Sequence, residues 1–227
     1  MISWFGVLGL FTGTTSANPV TPYIPESGDI LTGIVNFRCN STNADKVELS
    51  IDGVLIATMS GGPTWSFQIN TSGWSDGRHI IRYDSTGDTT DDITSIPVKF
   101  DNSGPQITNA TTLYPTGQDT AKPGDKVTIT AKVTESVSSI SSVLCDATMI
   151  GDASDLTMYD DGLHNDGAPN DNIYGTALVN VTVGGGYRAA YVHSTDSQGN
   201  FRNVTAACNV DQYEPTILEI DTMLPAG

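Results

Sequence analysis

Short runs in which apolar and polar residues alternate set the character of this chain. Val47, Leu49 and Ile51 fall on one face of a strand, and Asp52-Gly53 is a hairpin signal leading into Val54-Leu55-Ile56. Phe67 and Ile69 mark a further strand, and Asp76-Gly77 turns the chain into His79-Ile80-Ile81-Arg82-Tyr83. Further along, Val127, Ile129, Ala131 and Val133 alternate, as do Val179, Val181 and Val183. A period of two places successive side chains on opposite faces of a sheet, so these runs predict half-buried strands. Helix formers are scarce, while Thr, Ser, Val, Ile, Gly and Asn dominate, the composition of short strands joined by many turns. The expected class is all-β.

An internal repeat divides the pattern in two. Tyr83-Asp84-Ser85-Thr86-Gly87-Asp88 is matched by Thr195-Asp196-Ser197-Gln198-Gly199-Asn200. Downstream, Val98-Lys99-Phe100-Asp101 followed by Pro105-Gln106-Ile107 is matched by Cys208-Asn209-Val210-Asp211 followed by Pro215-Thr216-Ile217. In each copy a turn of Asp, Ser and Gly is expected before a final strand, and Asp-x-x-x-Pro ends the unit, because Pro bars continuation of a strand. With 227 residues the chain can hold two domains of about 100 residues, each with its own core. Short strands recurring every 8–12 residues or so, about seven to a unit, predict two tandem immunoglobulin-like sandwiches. Their expected extents are 18–104 and 105–214.

Residues 28 to 105 resemble the bacterial and archaeal immunoglobulin-like modules of surface proteins. The shared run is Gly33 and a strand, Lys46-Val47-Glu48-Leu49-Ser50-Ile51-Asp52-Gly53, Trp74-Ser75-Asp76-Gly77-Arg78-His79 and the stretch Asp84 to Gly87. The resemblance implies a fold and no enzymatic activity. The second unit resembles the same superfamily more loosely, and its insertion from Tyr159 to Gly175 is similar to an acidic loop of some secreted sandwich modules.

Net charge is −16, with 26 acidic against 10 basic residues. A nucleic-acid partner would need a basic face, so that class is excluded, whereas cation binding fits. Cys39, Cys145 and Cys208 form no CxxC pair and no cluster with the three histidines, which argues against zinc. Cys145 and Cys208 fall in the same half of the chain and are a candidate disulfide in an oxidising compartment; buried free thiols are the alternative. Sequons stand at Asn40, Asn70, Asn109, Asn180 and Asn203, close to the number chance would give, and compatible with N-glycosylation.

The candidate metal site lies in the acidic loop, 159–175. Asp160, Asp161, Asp166 and Asp171 offer carboxylates, Asn165, Asn170 and Asn172 offer amide oxygens, and Gly162 and Gly167 permit tight turns. Calcium, which takes six to eight oxygen ligands in flexible geometry, is the expected ion. The spacing is not that of an EF-hand, since Leu163 and Ala168 stand where ligands should be, so a loop wrapped on a sandwich edge is expected. A solvated, metal-free cluster of turns is the competing reading. Catalysis is not expected: His164 has no nucleophile near it in sequence, and no GxSxG, HExxH or phosphate-cradling glycine loop occurs. Trp65 and Trp74 flank predicted strands and are expected in the core rather than on a sugar platform.

Two ends remain outside the sandwiches. Residues 1–17 hold an apolar run and are either a donor strand or a signal-like segment, although no Lys or Arg precedes the run. About ten apolar residues rise only ~15 Å as a helix against a ~30 Å bilayer core, so no membrane span is expected. Extended, they reach about 33 Å and are apolar on both faces, which suits a strand inserted in another sandwich, with Trp4, Phe5, Val7, Leu8, Leu10 and Phe11 at the interface. A strand folding back on its own domain is the simpler alternative. Residues 215–227 form a C-terminal strand or linker. The expected function is a structural subunit of an extracellular filament, pilus-like sheath or surface layer that polymerises with copies of itself by strand addition. The alternative is a non-catalytic spacer, adhesion or carbohydrate-binding module that touches cell-surface components or glycans.

Overall fold

The computed structural model describes residues 19–87 and 91–211, which form a nearly all-β structure. The chain divides into two compact units between Asn102 and Ser103. Among the described residues no helix is long and apolar enough to cross a membrane.

In the first unit one sheet has the order β1 (Thr21–Ile24), β3 (Ile34–Asn40), β7 (Thr64–Asn70), β6 (Ser60–Gly61). The facing sheet runs β2 (Ile30–Leu31), β9 (Asp92–Phe100), β8 (Gly77–Gly87), β4 (Ala44–Ile51), β5 (Val54–Thr58). The first strand switches sheets: β1 pairs antiparallel with β3, then β2 pairs parallel with β9. That switch and the two facing sheets define an immunoglobulin-like sandwich. Asp52 and Gly53 turn β4 into β5 with φ of 49° and 82°, the doubly left-handed geometry of a two-residue hairpin. Val47, Leu49 and Ile51 are buried, as their alternation requires, against Phe37, Tyr83 and Phe100. Trp65 is buried with its indole N–H donated to the Ser41 carbonyl at 3.1 Å, and Trp74 packs edge-on against Phe100. Among the described residues of this unit, Trp65 thus belongs to the core and Trp74, partly buried, packs against it.

The second unit repeats the plan with one change. β10 (Gln106–Leu113) pairs with β11 (Lys126–Thr134), which also pairs with β14 (Ile173–Thr176) and β15 (Val179–Asn180). The other sheet contains β12 (Ile140–Asp146), β16 (Gly186–Asp196) and β17 (Phe201–Val210). β13 (Leu156–Tyr159) belongs to both, pairing with β12 through Leu156 and Thr157 and with β14 through Met158 and Tyr159. The core is aliphatic, built on Val127, Ile129, Val133, Ile150, Val181 and Val192.

The repeat read in the sequence differs from the folded register. Asp84 to Gly87 lie inside β8, where Ser85 faces Asp92, whereas Asp196 ends β16 and Ser197 to Asn200 make the turn. The expected turn of the first copy is therefore strand. The cause is length: 17 positions separate Asp84 from Asp101 and 15 separate Asp196 from Asp211, and the excess lies in β8, which runs on past Asp84 to Gly87 whereas β16 stops at Asp196. Likewise Val183 is only half-buried, because the paired strand ends at Asn180.

Candidate functional site

The acidic loop joins β13 to β14, and its position departs from expectation. It lies across the outer face of the sheet, not on the sandwich edge. Thr128 and Thr130 point away from the core of β11 yet are buried. Asn165 donates from Nδ2 to Thr128 Oγ1 at 3.2 Å, and a Cβ on Gly175 would collide with the His164 carbonyl oxygen passing over it. A strand glycine here is the place where another backbone comes close.

Its carboxylates cap the loop's own backbone. Asp166 is fully buried and accepts from the amides of Asp161 (2.6 Å), Gly162 (2.9 Å) and His164 (3.0 Å). Burial alone would raise its pKa, but those amide hydrogen bonds outweigh it and hold the carboxyl below its ordinary value. Asp160 accepts from the amides of Asp171 and Asn172 on its two oxygens, and Asp171 from those of Ala168 and Ile173. Asp161 Oδ1 accepts from the Leu163 amide and lies 2.9 Å from His164 Nδ1, with the imidazole stacked on Tyr159. Asn165, Asn170 and Asn172 have φ of 56°, 62° and 68°, so they supply left-handed turns that Asn tolerates better than other side chains. Among the described residues, no three of the loop's carboxylate and imidazole ligand atoms lie within 4.8 Å of one another. The structure thus brings Asp160, Asp161, Asp166 and Asp171 into one loop, with Asp160, Asp166 and Asp171 each spending both oxygens on amide donors.

The proposed Cys145–Cys208 disulfide is not formed. Cys39, Cys145 and Cys208 are all buried free thiols. Cys145 faces Val192 and Cys208 faces Arg188, so β16 stands between them. Two strand spacings and four residues of offset put their Cα atoms about 16 Å apart, far beyond the ~4.4–6.8 Å a disulfide spans. Burial pushes the Cys39 and Cys145 thiols up to about 12, which leaves both protonated and unreactive at neutral pH.

The remaining candidates are dispersed. Asn40, Asn70, Asn109, Asn180 and Asn203 are all exposed. His79 sits in the first unit between Asp52 Oδ2 (2.6 Å) and the Ser75 carbonyl (2.8 Å), stacked on Phe100, and so ties β8 to the β4–β5 turn. His193 lies 3.8 Å from an exposed Asp155 carboxylate. Trp4, Phe5, Val7, Leu8, Leu10 and Phe11, and the C-terminal segment 215–227, lie outside the described residues. One feature was not visible in the sequence: β12 is flanked by β13 only at Leu144 and Cys145, leaving a groove beside Ile140–Val143.

Comparison with known proteins supports the fold. Residues 108–207 match the model of the second immunoglobulin-like domain of conditioned medium factor. No curated protein matches the chain. Among solved structures, the fibronectin(III)-like modules of Clostridium thermocellum CbhA are 20% identical with a TM-score of 0.36, over 86% of this chain and 95% of theirs. A Ca²⁺-stabilized adhesin of an Antarctic bacterium that binds ice is 18% identical with a TM-score of 0.48, over 88% of this chain and 50% of its own. A 1.5-MDa bacterial ice-binding adhesin is 15% identical with a TM-score of 0.47, over 88% of this chain and 66% of that one. The class defined here is a protein of immunoglobulin-like β-sandwiches.

Proposed function

We propose that the chain is a structural subunit of an extracellular prokaryotic surface assembly, joined to further copies by strand addition. The observation that carries this reading is a pairing of features. The sandwiches keep open sheet edges, and the segment before Pro19 combines an apolar run, Trp4–Phe11, with no Asp, Glu, Lys or Arg at all. In a chain of net charge −16, a terminal segment without charge can meet a second copy without like-charge repulsion of its own. An extended apolar segment entering a sheet edge gains main-chain hydrogen bonds and side-chain burial together. The contact uses different surfaces on the two partners, so it does not close and propagates as a fibre. Exposed sequons on both units suit a surface location and a glycoprotein.

Electron microscopy of the purified full chain, beside a chain lacking residues 1–13, tests the reading. Filaments from the first and dispersed particles from the second are expected, with a peptide of residues 1–13 shortening the filaments. Filaments from both would move the linking role to residues 216–224. Dispersed particles from both would favour a spacer or adhesion module.

The acidic loop is where such a subunit would take up calcium. The support is charge: four carboxylates sit within twelve residues, and no Lys or Arg stands among them. An ion at a hundred times its dissociation constant stabilises by about 2.7 kcal/mol. Melting with calcium against chelator should differ by several degrees in the second unit and not in the first. Identical curves, with no calcium in elemental analysis, leave the loop as a self-capped array of turns.

A further inference from the structure

We infer that the acceptor for Trp4–Phe11 is the open flank of β12 in the second unit of a neighbouring copy. This rests on the strand-addition reading and adds the place where the strand goes.

β16 follows β12 from Ile140 to Asp146, but on the other flank β13 meets it only at Leu144 and Cys145 before crossing to β14. Ile140 to Val143 therefore have no strand partner on that side among the described residues. The departure of β13 opens a groove of about 320 Å³ between the two sheets, lined by Ile140, Ser142, Val143, Leu144, Met158 and Tyr174, with no charged side chain. Val143 and Met158 are already buried, Ile140 and Tyr174 pack against the core with part of their surface still open, and Leu144 is half-buried. An added strand would cover that apolar surface and pair with the backbone of β12 in one step.

Chemistry selects the occupant. A groove without charge, in a chain with 26 acidic residues, takes a segment without carboxylates. Residues 1–18 have none, whereas the C-terminal residues 212–227 carry Glu214, Glu219 and Asp221. Pairing along Ile140–Val143 needs roughly 13 Å of extended chain, and an eight-residue run supplies it with length to spare. Gly6 and Gly9 suit the close approach of backbones inside such a slot.

The other edges are blunted, β2, β6 and β15 by being only two residues long. β1 carries Pro22 and a register break, β5 has a bulge opposite Leu49 and Ser50, and β10 is interrupted at Asn109 with φ of 52°. β17 is held near its end by Thr112, Tyr114 and Ala121 and bears the sequon at Asn203. Such devices are how sheet edges avoid unwanted pairing.

Cysteine cross-linking between two full-length chains tests the assignment, and the native thiols do not compete because all three are buried. One chain carries Val7→Cys, Leu8→Cys or Leu10→Cys; the other carries Ser141→Cys on the exposed rim of the groove, or Leu55→Cys on β5 as a comparator. After oxidation, at least one donor position should give a mixed disulfide with Ser141→Cys at ten or more times the yield with Leu55→Cys. Equal or higher yield at Leu55→Cys overturns the assignment. So does a bond formed within one chain when Leu8→Cys and Ser141→Cys are combined, since the segment would then belong to its own subunit. Filaments from the unmodified chain without any cross-link at Ser141→Cys leave strand addition standing and place it elsewhere. Absence of both filaments and cross-links removes both readings.

Discussion

The two units solve one problem, the flank of the third main strand, in different ways. In the first, Asp52-Gly53 folds the chain straight back, so β5 covers β4 from Glu48 to Ile51 and the Met59 amide reaches the Val47 carbonyl. In the second, the chain leaves β12 through a short 3-10 turn, returns as β13, and spends half of that strand on the opposite sheet. The residues released there go into the acidic loop, which folds over the outer face of β11 and β14. The same topology therefore has a closed flank in one copy and an open one in the other. The difference teaches that a two-residue turn fixes its strand to the nearest neighbour, whereas a long connection lets a strand be shared between sheets.

The cores differ in the same direction. Phe37, Trp65, Tyr83 and Phe100 fill the first, whereas the second is built on valine, isoleucine and alanine, with no fully buried aromatic side chain among its described residues. The largest expected effect comes from this contrast. Phe100→Ala removes the ring on which both Trp74 and His79 pack and should cost the first unit about 4 kcal/mol. Trp65 and Trp74 are in that unit and residues 103–227 have no tryptophan, so fluorescence melting in a Trp4→Phe background reads the first unit. Hydrogen exchange in the second unit should be unchanged; a global loss of protection would show that the two are one cooperative body.

Next in size is Asp166→Ala, which leaves the half-buried amides of Asp161, Gly162 and His164 without their acceptor and should cost the second unit on the order of 3 kcal/mol. Faster exchange confined to residues 160–175 and to β11 and β14 is the expected signature. Fast exchange in the loop alone would mean that it does not support the sheet beneath it.

Acid should separate the units in the same sense. The Asp52 carboxyl is held below its ordinary value by the Ile80 amide, Asp146 by Thr148, and Asp166 by its three amides against the opposing effect of burial. Groups with lowered folded pKa stabilise fully above the unfolded value, about 3.9 for Asp, and lose that contribution as pH falls through the folded one. The second unit holds two of the three, one of them buried, so below about pH 4 its melting temperature should fall faster than that of the first. Parallel decline would show that the loop's caps add no pH-dependent stability.

The smallest effect has the opposite sign. The Tyr83 hydroxyl is buried in the first unit without a hydrogen-bond partner, and burial raises its pKa. Tyr83→Phe should leave that unit as stable or firmer by up to about 1 kcal/mol, read from the fluorescence melt. A clear loss of stability would mean that the hydroxyl has a partner in solution.

Much of the fold was legible along the chain. The alternation in Val47–Ile51 and Val127–Val133, the Asp52-Gly53 hairpin and the end of β9 before Asp101-x-x-x-Pro105 are local signals, and each follows from backbone period or turn chemistry. The acidic loop was legible as an array of carboxylates and left-handed asparagines for the same reason. Partners distant in sequence were not. Cys145 and Cys208 share a half of the chain, yet the pairing order puts β16 between them, and no local pattern encodes which strand lies between two others. The turn expected at Asp84–Gly87 became strand because hairpin length is set by the facing strand. So the sequence by itself determined the strands, their faces and the turns, since these depend on neighbouring residues. Only the tertiary structure decided that the loop covers a sheet face and that β12 keeps an open flank, because both depend on which backbone donors and acceptors remain after distant strands have paired.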